Sequence, residues 1–210
     1  MKNFNGVSVG KGKRQGGFTI IELVVVILLL GILTATALPR FMDISDEAHG
    51  AVVNSVTGSL RTGLALYHAQ WLASGQPDNS VAVDYDGVDL YPNAGGDGYP
   101  ASSGDLDFDA ESDCTDVFNG LVTMGGMTID TINWDAAAAN IEANIEATLG
   151  ANDWLGSTAT DPSADPETCI YYYTGQFASG TDTAPSVIPA LTYDVTAGTV
   201  TPGTFTLQED

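Results

Sequence analysis

Positive charge is what this chain has least of. Six Lys and Arg stand against 27 Asp and Glu, for a formal net charge of −21. Four of the six (Lys2, Lys11, Lys13 and Arg14) precede residue 18, and only Arg40 and Arg61 come later. A surface this acidic repels nucleic acid phosphates and anionic lipid headgroups, so no nucleic acid is expected as a partner. With no lysine after Lys13, Schiff-base chemistry is excluded from the rest of the chain. Cysteine is almost as scarce. Cys114 and Cys169 alone supply too few ligands for zinc, and the two histidines, His49 and His68, lie far from both in sequence. No phosphate loop or zinc-ligand spacing occurs, and two histidines on one expected helix make no triad. The chain does not read as an enzyme.

What it does have is one membrane-length apolar run. The 21 residues from Phe18 to Leu38 carry a single charge, Glu22, and as a helix would be about 30 Å long. Four basic residues and no acid precede it, against the single Arg40 just beyond; that bias keeps the N-terminal end in the cytoplasm and sends the rest outward. An unpaired carboxylate in hydrocarbon costs several kcal/mol, so Glu22 is expected to have a partner and a role. Two plainer readings stay open. Ala35-Thr36-Ala37 imitates a signal-peptide cleavage site, and the run could be an ordinary single-pass anchor. Neither accounts for both Gly16-Gly17 and Glu22.

Past Pro39 the pattern turns amphipathic. Phe41, Ile44, Ala48, Val52, Val56, Leu60, Leu64, Tyr67 and Trp71 recur every three or four residues, the stripe of one helix face. A single helix from Phe18 to about Leu72 would run about 80 Å. Gly31 weakens it and Pro39 removes a backbone donor, so the stretch between them is where it should kink or melt.

The string Lys13-Arg14-Gln15-Gly16-Gly17 followed by Phe18-Thr19-Ile20-Ile21-Glu22 resembles the processing site of type IV pilins and their pseudopilin relatives. That resemblance implies cleavage between Gly17 and Phe18 by a prepilin peptidase, with N-methylation of Phe18. It implies four regions: a leader over 1–17, a transmembrane and filament-core helix over 18–38, an amphipathic half over 39–72, and a globular head over 73–210. Glu22 would pair with the amino terminus of Phe18 on a neighbouring subunit, and the Gly31–Pro39 segment would lose helicity on assembly. The start at Phe18, the Ala37-Leu38-Pro39-Arg40-Phe41 stretch and the ending Leu191 to Thr201 are similar to mannose-sensitive haemagglutinin pilins. The implied function is the subunit of an adhesive surface fibre. Its partners would be copies of itself, the prepilin peptidase and assembly machinery, and the inner membrane, which holds it, head in the periplasm, before it becomes an extracellular pilus. A pseudopilin of a type II secretion system and an anchored binding module that never polymerises are the alternatives.

The head reads as α+β: a long helix on a mainly antiparallel sheet. Val81–Tyr85 and Val88–Tyr91 flank Asp86-Gly87, a hairpin signal. Gly95 to Gly104 reads as a glycine-rich loop, Asp116 to Met124 and Trp134 to Leu149 as helices, and Thr168–Thr174, Leu191–Val195, Thr199–Thr201 and Thr204–Leu207 as strands. Two lone thiols in an oxidising periplasm either pair or stay buried and free; pilins commonly carry a C-terminal disulfide, which the Cys114 and Cys169 spacing resembles. The alternating acids Asp105, Asp107, Asp109, Glu111 and Asp113 match a calcium loop in part, with Ala110 where a glycine is usual. The same residues also read as a strand or acidic loop with its acids outward, and that is the preferred reading. Calcium, at Asp105, Asp107 and Asp109, is thus the one cofactor expectation; Asp84, Asp86 and Asp89 form a weaker set.

Overall fold

The computed structural model describes residues 18–103, 111–123, 125–132, 145, 147–148, 151–158, 168–176 and 187–206, and only the backbone of 39, 41–46 and 111. The chain divides into two compact units, the first ending at Asp46 and the second beginning at Glu47.

Helix α1, Ile20–Ala73, is 54 residues long and contributes to both. In the first unit it is apolar on every side and continuous through Gly31 and Pro39. The stretch expected to kink or melt is thus helical throughout in the single chain, the local cost of Gly31 and Pro39 being about 1 to 3 kcal/mol each. In the second unit the expected stripe is buried: Val56, Leu60, Leu64, Tyr67 and Trp71 are all within the core. Val52 is half-buried and packs against this core, Ala48 is exposed, and the side chains of Phe41 and Ile44 lie outside the described residues.

Eight strands follow. β1 (Val83–Tyr85), β2 (Val88–Pro92) and β3 (Pro100–Ser102) form a three-stranded antiparallel sheet. The β1–β2 hairpin pairs Tyr85 with Val88, and its turn residues Asp86 and Gly87 both have positive φ, 52° and 84°. That is the primed turn whose twist suits two-residue hairpins, and it is why Asp-Gly stands there. The segment Gly95–Gly104, expected to be loop throughout, contains β3.

Helix α2 spans Glu111–Leu121. It begins five residues before the expected Asp116, and Glu111 to Asp113 are therefore helical and not strand or loop. Cys114, Val117, Phe118 and Leu121 are buried at the i, i+3, i+4, i+7 spacing of one helix face. Asp113, expected to point outward, is 5% exposed. Asp105, Asp107 and Asp109 lie outside the described residues.

The second sheet has the order β4 (Ile129–Thr131), β5 (Trp154–Thr158), β6 (Thr168–Tyr173), β7 (Val187–Asp194), β8 (Thr199–Thr206). β4 runs parallel to β5 and the other neighbours are antiparallel. Neither β4 nor β5 was expected. The two separate strands read at Thr199–Thr201 and Thr204–Leu207 are one, crossing Pro202-Gly203. β8 is an edge strand, where a missing N–H is tolerated. Of the helix expected over Trp134–Leu149 most lies outside the described residues, with Ile145 helical and buried.

Strand alternation sends side chains to two cores. Cys169, Tyr171 and Tyr173 on β6, with Leu191 and Tyr193 on β7, join the α1 stripe, Phe118 and Trp154. Tyr172, Leu155, Ile188 and Ala190 join Ile132 and Ile145 on the other face, with Ile170 and Phe205 packed against them. Three buried tyrosine hydroxyls find backbone acceptors: Tyr67 donates to the Leu90 carbonyl (3.0 Å), Tyr171 to Cys114 (2.9 Å) and Tyr193 to Pro100 (2.8 Å). Cys114 and Cys169 are disulfide-bonded, tying α2 to β6, and neither cysteine is free.

Candidate assembly segment

The segment that opens α1 owes its properties to exposure. Phe18 is 90% and Ile20 84% exposed, and Leu23 through Leu30 present apolar side chains on all sides. Ile20–Leu38, 19 residues with a mean hydropathy of 2.7, is long and apolar enough to cross a membrane, and none of it is buried within the protein. A helix without an apolar stripe has no preferred face against its own head. It can be satisfied by lipid, or by other helices like itself.

Its polar groups are accounted for internally. Thr34 Oγ1 donates to the Leu30 carbonyl at 2.7 Å and Thr36 Oγ1 to that of Leu33 at 3.0 Å. At the start, Thr19 and Glu22 form a reciprocal cap. The Glu22 amide donates to Thr19 Oγ1 (3.2 Å), while Glu22 Oε2 accepts from the Thr19 amide (2.9 Å) and the Thr19 hydroxyl (2.8 Å). This capping box satisfies amide donors that have no intrahelical acceptor, which matters most where no water is at hand. It also holds the carboxylate back against the helix start, three residues from Thr19 and four from Phe18. The sequence carried a signal for it, Thr19-x-x-Glu22, which reading Glu22 by charge alone passes over.

Of the other expected positions, Gly17 lies outside the described residues. Gly31 is exposed, and a Cβ there would meet nothing within 4 Å. Pro39 is in the helix. Among the described residues no group of three or more His, Cys, Asp or Glu is placed to hold a metal.

In the second unit three contacts escaped sequence reading. His49 Nδ1 lies 2.8 Å from the Tyr173 hydroxyl. Trp71 Nε1 donates to the Pro77 carbonyl at 2.8 Å. Arg61 donates through Nη2 (2.6 Å) and Nε (3.2 Å) to the Val200 carbonyl on β8. Each joins residues whose proximity only the fold creates.

Residues 12–38 match the family model described as the prokaryotic N-terminal methylation motif. The chain is 30% identical over 138 residues to a type IV major fimbrial protein of Dichelobacter nodosus, covering 66% of this chain and 73% of that one. It is 44% identical over 57 residues to the type IV narrow pilus major component of Thermus thermophilus, covering 27% of this chain and about half (49%) of the relative. Over 55 residues it is 36% identical to the type II secretion system core protein G of Pseudomonas aeruginosa, covering 26% of this chain and 39% of that one. No solved structure matches it.

Proposed function

The chain belongs to the type IV pilin family, and from that membership we propose that it is the subunit of an adhesive surface fibre of the mannose-sensitive haemagglutinin kind. It is made as a precursor anchored in the inner membrane by residues 18–38, with its head in the periplasm. A prepilin peptidase removes residues 1–17 between Gly17 and Phe18 and methylates the new amino terminus. The assembly machinery then moves the apolar helix from lipid into the core of the fibre.

The observation that carries this reading is a membrane-length helix, exposed and apolar all round, that continues into a stripe buried on a disulfide-closed head. Lipid and a bundle of identical helices are equivalent surroundings for such a segment, so transfer between them costs little in apolar contact. What discriminates is Glu22. A carboxylate among apolar helices needs a cation, and the free amino terminus of Phe18 on a neighbouring subunit supplies one of matching charge. That pairing sets how far each helix slides along the next. The acidic heads would then meet across water and cations, with Asp105, Asp107 and Asp109 as the calcium ligands.

A role as a secretion pseudopilin is favoured by the similarity to core protein G, which spans 55 residues. The similarity to the fimbrial protein spans 138, more than the leader and helix together, and so favours the pilus.

The test is mass analysis of material sheared from cells. A chain starting at methylated Phe18, in long fibres, is expected. Glu22→Val should leave membrane insertion intact and lower fibre yield. A mature start at Leu38, or a chain that stays wholly in the membrane, would overturn the reading.

A further inference from the structure

After Arg40 the chain has one basic side chain of the Lys or Arg type, Arg61, and it meets no carboxylate of its own protomer among the described residues. Its two hydrogen bonds go to the Val200 carbonyl, on the edge strand of the five-stranded sheet. These use Nε and Nη2, fixing the guanidinium plane; Nη1 remains as donor, and the residue is exposed. A guanidinium offers five donors and matches carboxylates geometrically, so this one is pre-positioned for an acid it does not find at home.

Elsewhere on the head an open groove has the complementary character. It is lined by Leu66 and Gln70 of α1 and by Asp84, Tyr85 and Asp86 of the β1–β2 hairpin. Asp86 sits at the hairpin tip, exposed and with no hydrogen bond among the described residues, and Leu66 is 55% exposed. Arg61 and Gln70 are nine residues apart on one helix, about 180° around its axis. The cation and the groove are therefore on opposite flanks of α1. A contact joining two different patches on opposite flanks is heterologous, and where its rotation does not close a ring it propagates into an open helical array.

We propose that Arg61 of one copy docks into the Leu66–Gln70–Asp84–Tyr85–Asp86 groove of the next, its guanidinium pairing with Asp86 beside the Tyr85 ring. The occupant is a second copy of this chain, chosen by charge: on a head with no other Lys or Arg, Arg61 is the one side chain that turns a like-charge encounter into an attraction. The inference rests on the fibre-subunit reading and adds to it the lateral contact between heads.

Full-length variants expressed in the native host test it. Arg61→Glu and Asp86→Lys should each lower sheared-fibre yield about tenfold, and the double swap Arg61→Glu/Asp86→Lys should restore most of it. Because Arg61 also anchors β8, a second measurement avoids dependence on its charge. Arg61→Cys/Asp86→Cys, in a chain whose native cysteines are already paired, should give a ladder of multimers with a thiol-reactive bismaleimide of about 10 Å, which spans the gap the shortened side chains leave open to a direct disulfide, whereas either single cysteine should give dimers at most. Single charge variants with undiminished fibres, a double swap no better than the singles, or cross-linked double-cysteine chains without a ladder would overturn the proposal. Absence of fibres from the unaltered chain would instead strike at the subunit reading itself.

Discussion

Single residues hold the two halves of the head together. Gly63 on α1 lies close against the end of α2: a Cβ built there would stand 2.8 Å from the Leu121 carbonyl oxygen, a backbone atom that cannot swing aside. Gly63→Val should therefore destabilise the protein by about 1–3 kcal/mol through forced separation of the helices. Gly58→Ala, on the same helix with nothing within 4 Å, should stabilise it by about 0.5–1 kcal/mol. Thermal melting of the pair separates close approach from helix propensity. The disulfide acts differently, by restricting the unfolded chain. For the 55-residue separation of Cys114 and Cys169, loop-closure entropy gives about 4 kcal/mol. Cys169→Ser should lose stability of that order and expose one titratable thiol, while the unaltered chain shows none under denaturation. Finding two thiols per unaltered chain would contradict the structure.

At the scale of elements, the β7–β8 hairpin shows how a turn is held by one side chain. Asp194 Oδ1 accepts from the amides of Thr196 (3.0 Å) and Ala197 (2.9 Å) and from the Thr196 hydroxyl (2.7 Å). The Ala197 amide, then the Thr196 hydroxyl, hold its carboxyl below the usual value, with burial opposing them weakly. A pKa lowered in the folded state contributes stability above the unfolded value, and that contribution disappears as pH falls through the folded one. Asp194→Ala should cost about 1 kcal/mol at neutral pH, and its melting temperature should converge on the parent's below about pH 4. A gap that stays constant into acid would mean that the turn does not depend on the ionised carboxylate. The same hairpin gives β8 its position beside α1, where Arg61 meets the Val200 carbonyl.

Across the whole molecule, charge opposes assembly. Four of the 27 acids precede residue 73, leaving 23 in the head with no Lys or Arg beside them. Arrays of such heads should loosen in low salt and recover when salt or calcium is restored. Sodium and calcium acting alike at matched ionic strength would indicate screening. Calcium acting alone at micromolar to millimolar levels would indicate a site, and substitution of Asp105, Asp107 and Asp109 should then abolish the effect. Light scattering of sheared fibres during dialysis reads both. Fibres indifferent to salt and chelator would leave cohesion to the apolar helices. Alkali probes the cores instead. Burial raises the pKa of Tyr67 and Tyr171 and pushes Tyr172 up to about 12, so these contribute stability that is complete below about pH 10 and lost as pH rises through their folded values.

What local order in the chain can encode was legible without coordinates. The apolar run of α1 and its buried stripe follow from composition and a 3.6-residue period. The hairpin at Asp86-Gly87 follows from a dipeptide suited to positive φ at both positions. Even the Thr19–Glu22 cap is a four-residue pattern. The rest depended on distant partners. β4 is three residues long, too short for any period, and exists because β5, more than twenty residues later, pairs with it in parallel. β3 emerges from glycine-rich sequence because Ser102 finds Tyr91. α2 starts early because one helical face must bury Cys114 with Phe118. Arg61 has the Val200 carbonyl as acceptor only because β8 folds beside α1. Strand partners, helix starts across acidic sequence and hydrogen bonds between distant parts of the chain are set by burial of non-local surface, and only the tertiary structure decided them.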